Sequence, residues 1–346
     1  MFEIVNGESE KFAKIIKLSQ NENALGASPL ALEAVKENIL SIFRYPDVLH
    51  TELKHKLAEK YSVSFDNIVI SAGSVALMDM SVKAFVGFDE NIVTAEVTFP
   101  GYKIIAGTNR RSIKFSKMVD YKISLDNLLS TCDEKTKVVF IANPNNPTST
   151  MVTHDEMKKF LQSVPSDMYV VCDEAYAEYI TDTDYPDSFE LLKEFPNLII
   201  FRTFSKIYGL AGLRIGYAIA HPDVIQSLMK HRTPFSISDL ASVAALAALD
   251  DTEYLEKCVA VNSRERAILY NGLIDMGINA VFPHGNFVFM EFSKQGESEK
   301  MFDELIKKGI IARPLGPFGN EKGLRISVGR PEENQRLLKS LKQIFA

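Results

Sequence analysis

The chain has 346 residues, 46% of them hydrophobic, which allows a large buried core and excludes a miniprotein or a disordered tail. Its net charge is -6 and its lysines and arginines are scattered, as between Lys54 and Lys60, with no one-sided basic block, so nucleic acid is a poor partner. Cys132, Cys172 and Cys258 form no CxxC or Cys/His cluster and read as free thiols in a reducing compartment.

Residues before about Leu30 precede the first sheet strand and are predicted to return onto the C-terminal unit or onto a second subunit, as an N-terminal arm, 1–30. From there short β-branched runs alternate with helical patterns, the mark of an α/β class. Predicted strands are Asn67 to Ser71, Ile92 to Ala95, Lys137 to Ala142, Tyr169 to Cys172, Leu198 to Thr203 and Ile215 to Ala220. Most are continuous apolar runs, as in strands buried on both faces of a mostly parallel sheet. Between them lie a helix after Ser74 and one from Thr153 to Gln162, opened by a capping box of Thr153 and Glu156. The most apolar helical stretch, Ala241 to Leu249, is far short of the roughly 20 residues that cross a membrane, and no basic-then-apolar leader opens the chain. A cytoplasmic protein is expected.

After Asp250 the pattern changes. A long helix spans about Glu253 to Met276, strands near Phe287 to Phe292 and Leu324 to Val328 flank a helix at Glu297 to Lys308, and a last helix runs from about Pro331 to Phe345. The expected division is therefore the arm, a large unit 31–250 and a smaller α+β unit 251–346.

Ligands of open α/β sheets gather at the carboxyl ends of the strands. Four informative pieces sit there: Ser71-Ala72-Gly73-Ser74, Asn143 to Pro147, Asp173-Glu174-Ala175-Tyr176, and Thr203 to Lys206 followed by Gly212 to Gly216. A lysine closing the apolar strand LIIFRTF is oddly placed. Desolvation lowers its pKa and exposes a neutral nucleophilic amine suited to a Schiff base, although by itself Lys206 also reads as a lysine snorkelling from a strand end. Asp173 ends the run YVVC on the same edge, where a carboxylate can pair with a protonated pyridine nitrogen; a helix N-cap is its plainer reading. Tyr176 and Asn146 are donors suited to a ring oxygen, or simply turn residues. Gly73 and Ser74 open a helix whose backbone amides suit a phosphate, with Ser205 and Arg214 adding a hydroxyl and a guanidinium. Phe99 would stack on a ring or fill core.

The set NNP, DEAY, TFSK and GLAGLRIGY resembles the fold-type I aminotransferases, specifically the histidinol-phosphate aminotransferase family. The resemblance spans nearly the whole chain and includes Asn21-Glu22-Asn23, Arg44-Tyr45-Pro46-Asp47, Arg313-Pro314-Leu315 and Leu324-Arg325-Ile326. It implies pyridoxal 5'-phosphate as cofactor and amino transfer between glutamate/2-oxoglutarate and a small phosphorylated ketone, imidazole acetol phosphate giving histidinol phosphate. By the same resemblance Lys206 holds the cofactor and shuttles the proton, Asp173 meets the ring nitrogen, Asn146 and Tyr176 meet the ring oxygen, and Phe99 stacks. Ser205, Arg214 and the backbone of Ser74 and Val75 hold the phosphate, and Tyr45 reaches in from the neighbouring subunit of a homodimer. Arg325 receives the substrate anion, with Arg313 and Asn23 lining the same pocket.

The chain departs from the family pattern in three places. Val75 and Ala76 replace the usual Asp-Glu, Ser149 closes the turn usually written NPTG, and the early Pro-Tyr segment that helps seat histidinol phosphate is missing from a start bearing only Phe2 and Phe12. Another phosphorylated ketone, such as dihydroxyacetone phosphate giving serinol phosphate, therefore stays open as the acceptor. Decarboxylation of a phosphorylated amino acid on the same scaffold is a more distant alternative.

Overall fold

The computed structural model describes residues 15–345, so Phe2, Phe12 and the rest of 1–14 lie outside it. The first described strand, β1 (Ile16–Lys17), leads to helices α1 (Pro29–Asn38) and α2 (Thr51–Tyr61). The alternating region then runs β2 (Ile68–Ser71), α3 (Ser74–Phe85), β3 (Asn91–Ala95), α4 (Gly101–Thr108), β4 (Ser112–Ser116), α5 (Leu125–Thr131) and β5 (Thr136–Ala142). It continues with α6 (His154–Ser163), β6 (Tyr169–Asp173), α7 (Ser188–Glu194), β7 (Leu198–Thr203), β8 (Gly216–Ala220), α8 (Pro222–Met229) and α9 (Asp239–Asp250).

Strands β2 to β8 form one sheet in the order β2-β8-β7-β6-β5-β3-β4. Only β8 runs against its neighbours, so the sheet is mostly parallel, in agreement with the expected class. Two-residue periodicity sends Val139 and Ile141 of β5 into one core with Leu57, Met157 and Phe160, and Val138, Phe140 and Ala142 into the other with Leu77, Tyr102 and Ala106. Both faces are therefore dry, which explains the unbroken apolar runs. The exception is β4, the edge strand beside β3, whose Ser-Ile-Lys-Phe-Ser sequence is half exposed; its polarity hid it among loops. The capping box on α6 forms as expected, with Thr153 N donating to Glu156 Oε2 at 2.8 Å.

The remaining elements are α10 (Thr252–Asp275), β9 (Asn279–Ala280), β10 (Phe287–Glu291), α11 (Glu297–Lys307), β11 (Ile310–Ile311), β12 (Arg313–Pro314), β13 (Gly323–Ser327) and α12 (Pro331–Phe345). An antiparallel sheet, β12-β13-β10-β9, packs against α10 and α11. β1 pairs in parallel with β11, and Ile16 and Leu18 join Leu269, Val288, Ile326 and Leu337 in this second core. Each such burial is worth about 1.5–3 kcal/mol, which fastens residues 16–18 to the C-terminal unit. The chain then runs from Leu18 back toward the large sheet, so it must cross the space between the two.

Candidate active site

The order of the large sheet places β4 beyond β3 on one side and β5 to β7 on the other. The connections from β3 and β5 therefore leave in opposite directions and open a crevice at their carboxyl ends. A cavity of about 420 Å³ lies there. Phe99 follows β3, Asn146 follows β5, Asp173 ends β6, and Ser205 and Lys206 follow β7; all line the cavity. The C-terminal unit contributes Arg313, Phe318 and Arg325, and the crossing segment contributes Ser19, Gln20 and Glu22.

Asp173 is 5% exposed. Its Oδ2 accepts from the Tyr102 hydroxyl at 2.8 Å, while Oδ1 is buried with no partner of hydrogen-bonding geometry. Burial raises the carboxyl to about 6, and the Tyr102 hydroxyl and the Ala175 amide oppose the rise. The helix-cap reading of Asp173 does not hold, because the next helical turn, Ala177–Tyr179, has no side-chain cap.

Lys206 Nζ donates to Gln20 O at 3.0 Å and stands 5.5 Å from the Tyr176 ring centroid. Desolvation, and then the Arg325 charge, lower its pKa to about 8, against a smaller pull from Glu22. Two amides converge on the Tyr176 hydroxyl, Asn146 Nδ2 at 3.2 Å and Asn21 Nδ2 at 3.0 Å. The same ring packs edge-on to Phe287.

At another part of the cavity Gly73, at φ +81°, caps the N-terminus of α3, and Ser74 and Val75 line the wall. A Cβ on Gly73 would lie 2.6 Å from Arg214 Nη2, so glycine admits the guanidinium to the helix N-terminus. Arg214, itself at φ +56°, donates to Ser205 Oγ at 3.3 Å and to Ala211 O at 2.9 Å. Helix amides, a hydroxyl and a guanidinium thus share one corner, the donor set of an anion site.

Arg325 is buried. It donates through Nη1 to Asn146 Oδ1 and through Nη2 to Ser19 O at 2.7 Å, and its Nε has no partner. Phe318 lies beneath both arginines, 5.3 Å from the Arg325 guanidinium and 5.8 Å from that of Arg313. Burial, with Arg313 adding repulsion, lowers Arg325 to about 10.

Eleven of the thirteen predicted site residues line this cavity, and two do not. Asn23 is a correction. Its Nδ2 donates to Ile207 O at 2.6 Å and to Cys258 Sγ, its Oδ1 accepts from Leu25 N, and it borders a separate small cavity. Its polar atoms are all engaged away from the substrate pocket. Asn21, two residues earlier at φ +55°, is the residue that reaches the site. Tyr45 is 83% exposed, with its ring against Phe235, and does not enter this chain's own cavity. Tyr102, Phe318, Ser19 and Gln20 escaped the sequence. Tyr102 carried one usable signal, its place three residues beyond Phe99 at a strand end.

Residues 13–341 match the family model for aminotransferase class I and II. The chain belongs to that family, a class of transaminases. Within it, the chain is 39% identical over 332 residues to the histidinol-phosphate aminotransferase of Caldicellulosiruptor saccharolyticus, covering 96% of this chain and 92% of that one. It is 40% identical to histidinol-phosphate aminotransferase 2 of Methylococcus capsulatus, covering 98% and 93%. Among solved structures, histidinol-phosphate aminotransferase from Sinorhizobium meliloti in complex with pyridoxal-5'-phosphate superposes with a TM-score of 0.90 at 27% identity, covering 99% and 95%.

Proposed function

We propose that this transaminase moves an amino group between glutamate/2-oxoglutarate and imidazole acetol phosphate, giving histidinol phosphate, with pyridoxal phosphate bound covalently at Lys206. One observation carries the reading: a lysine with a desolvated amine, an aspartate with one buried oxygen left unpaired and an arginine whose buried Nε has no partner line the same cavity. The residues present fit the cofactor. Asp173 Oδ1 lacks the hydrogen donor that a protonated ring nitrogen supplies, and the Gly73 gap leaves the phosphate corner open around Arg214. When bound, pyridoxal phosphate supplies the electron sink for the pair released at the substrate α-carbon.

The protein's own groups do the rest. Asp173 keeps a negative charge opposite the ring nitrogen, and Asn146 and Tyr176 hold the ring oxygen. Phe99 limits ring tilt, and Ser205, Arg214, Ser74 and Val75 fix the phosphate. Lys206, neutral more readily than an exposed lysine, carries the proton at the α-carbon. Arg325 receives the substrate carboxylate or phosphate through its fork, with Arg313 beside it. Anion capture at a fixed arginine aligns the reacting bond in both half-reactions.

A second subunit belongs to the same reading. Leu40, Phe43 and Tyr45 are 86%, 76% and 83% exposed, and Ile42 lies among them. So large an apolar patch suits a homodimer contact that carries Tyr45 to the partner's phosphate corner. Among the described residues no helix is long and apolar enough to cross a membrane, and all three cysteines are free; both support the cytoplasm.

The crossing segment offers Ser19 and Gln20 to the cavity and no aromatic ring, which favours dihydroxyacetone phosphate as a second acceptor. Initial rates with glutamate and each ketone separate the two. A hundredfold preference, about 2.7 kcal/mol in the transition state, for imidazole acetol phosphate is expected. The reverse preference would transfer the assignment, and carbon dioxide release without amino transfer would overturn it.

A further inference from the structure

The two oxygens of Asp173 are not equivalent. Oδ2 is bonded to Tyr102, and Oδ1 has no partner. Tyr102 itself is fully buried in the first turn of α4, stacked on Phe140 with ring centroids 4.8 Å apart and edge-on to Phe99. Its ring cannot swing, and the Asp173 carboxylate is the only acceptor its hydroxyl has among the described residues. A buried carboxylate torsion is otherwise soft and roughly two-fold. The Tyr102 hydroxyl, the one side-chain donor to this carboxylate, engages Oδ2 and leaves Oδ1 the unpaired oxygen.

We propose that Tyr102 is a positioning residue for the cofactor's ring nitrogen, holding Asp173 so that Oδ1 is the oxygen presented to it. The inference rests on the reading of Asp173 as the ring-nitrogen partner. Phe99 and Tyr102 stand three residues apart at the carboxyl end of β3. A single short segment therefore sets both the plane of the ring, through Phe99, and the direction from which its nitrogen is met, through Tyr102 and Asp173. Removing the hydroxyl takes away the side-chain donor to the buried carboxylate and leaves it only the Ala175 amide. That disfavours the charged form and frees the torsion together.

The test uses Tyr102→Phe, which keeps the stacked ring, and two ligands added to cofactor-free protein: pyridoxal phosphate and its carbocyclic analogue with C–H in place of the ring nitrogen. Equilibrium binding, followed by fluorescence, needs no turnover. Wild type should prefer pyridoxal phosphate. The variant should bind it about tenfold more weakly, the scale of one hydrogen bond to a charged group, and bind the analogue within about twofold of wild type, a built-in control for folding. Asp173→Asn gives the reference loss, and Tyr102→Phe on that background should add little. Equal weakening for both ligands, or none for pyridoxal phosphate, overturns the positioning role. A wild type that binds both ligands equally overturns the reading of Asp173 itself, and the role of Tyr102 with it.

Discussion

Replacing Lys206 with methionine should stabilise the cofactor-free protein at pH 7. The amine is surrounded by Arg325 and Arg214, is desolvated, and makes one hydrogen bond, to Gln20 O. Its pKa falls from 10.5 to about 8, and at about 1.4 kcal/mol per tenfold this amounts to a cost of roughly 3 kcal/mol for the charged folded state. The lost bond to Gln20 returns about 1 kcal/mol, which leaves a net gain of about 2 kcal/mol for Lys206→Met. The sign with pH follows from linkage. A lysine depressed in the folded state costs most below pH 8, and the cost fades as pH rises from about 8 to 10.5, where the unfolded chain also releases its proton. Urea denaturation of both cofactor-free proteins from pH 7 to pH 10 should therefore show the variant ahead at pH 7 and wild type closing the gap by pH 10. Comparing the two proteins cancels the titrating groups that do not interact with Lys206, and the window from pH 7 to pH 10 lies above the Asp173 carboxyl at about 6. Equal stabilities at pH 7, or a constant gap, would refute the argument. The same depression leaves about one amine in ten neutral at pH 7, against about one in three thousand for an ordinary lysine. The folded chain thus keeps a reactive group at the expense of its own stability.

Arg325→Lys should raise KM for glutamate and for the phosphorylated ketone alike, by about ten- to a hundredfold, because a point charge replaces a fork that offers two parallel bonds. Stopped-flow measurement of each half-reaction checks this, and an effect on only one substrate would place the second anion elsewhere. On the proposed homodimer, Leu40→Asp should sediment as a monomer where wild type sediments as a dimer, and should abolish turnover, while a variant that still sediments with wild type would remove this patch from the interface. In the same format, mixing inactive Lys206→Ala and Tyr45→Ala chains should restore part of the activity if Tyr45 serves the partner's site.

Much of the site was legible because each motif lies next in chain to the strand that positions it. Continuous apolar runs marked β5, β6 and β7, and the residues just past them, Asn146, Asp173 and Lys206, reach one edge without further information. Arg214 and Gly73 follow the same logic at β8 and α3. Arg313 and Arg325 did not follow from pattern and came only from resemblance, since nothing in a short strand of the C-terminal unit says that it faces the large sheet. β4 was illegible because an exposed edge strand carries no hydrophobic period.

By itself, the sequence determined the class of the sheet and the residue types gathered at its carboxyl edge, which depend on short-range periodicity and composition. The cofactor they suit was implied by the family resemblance. Tertiary structure alone decided which distant atoms meet. Tyr102 closes on Asp173 across 71 positions, Asn21 on Tyr176 across 155 and Arg325 on Asn146 across 179. It also decided between Asn21 and Asn23. A left-handed residue in the crossing segment turns the first amide into the site, and packing against Ile207 and Cys258 turns the second away. Spacing along the chain specifies the face of an element, whereas the partner across a cavity depends on how distinct cores are fastened together, here by residues 16–18 on β11.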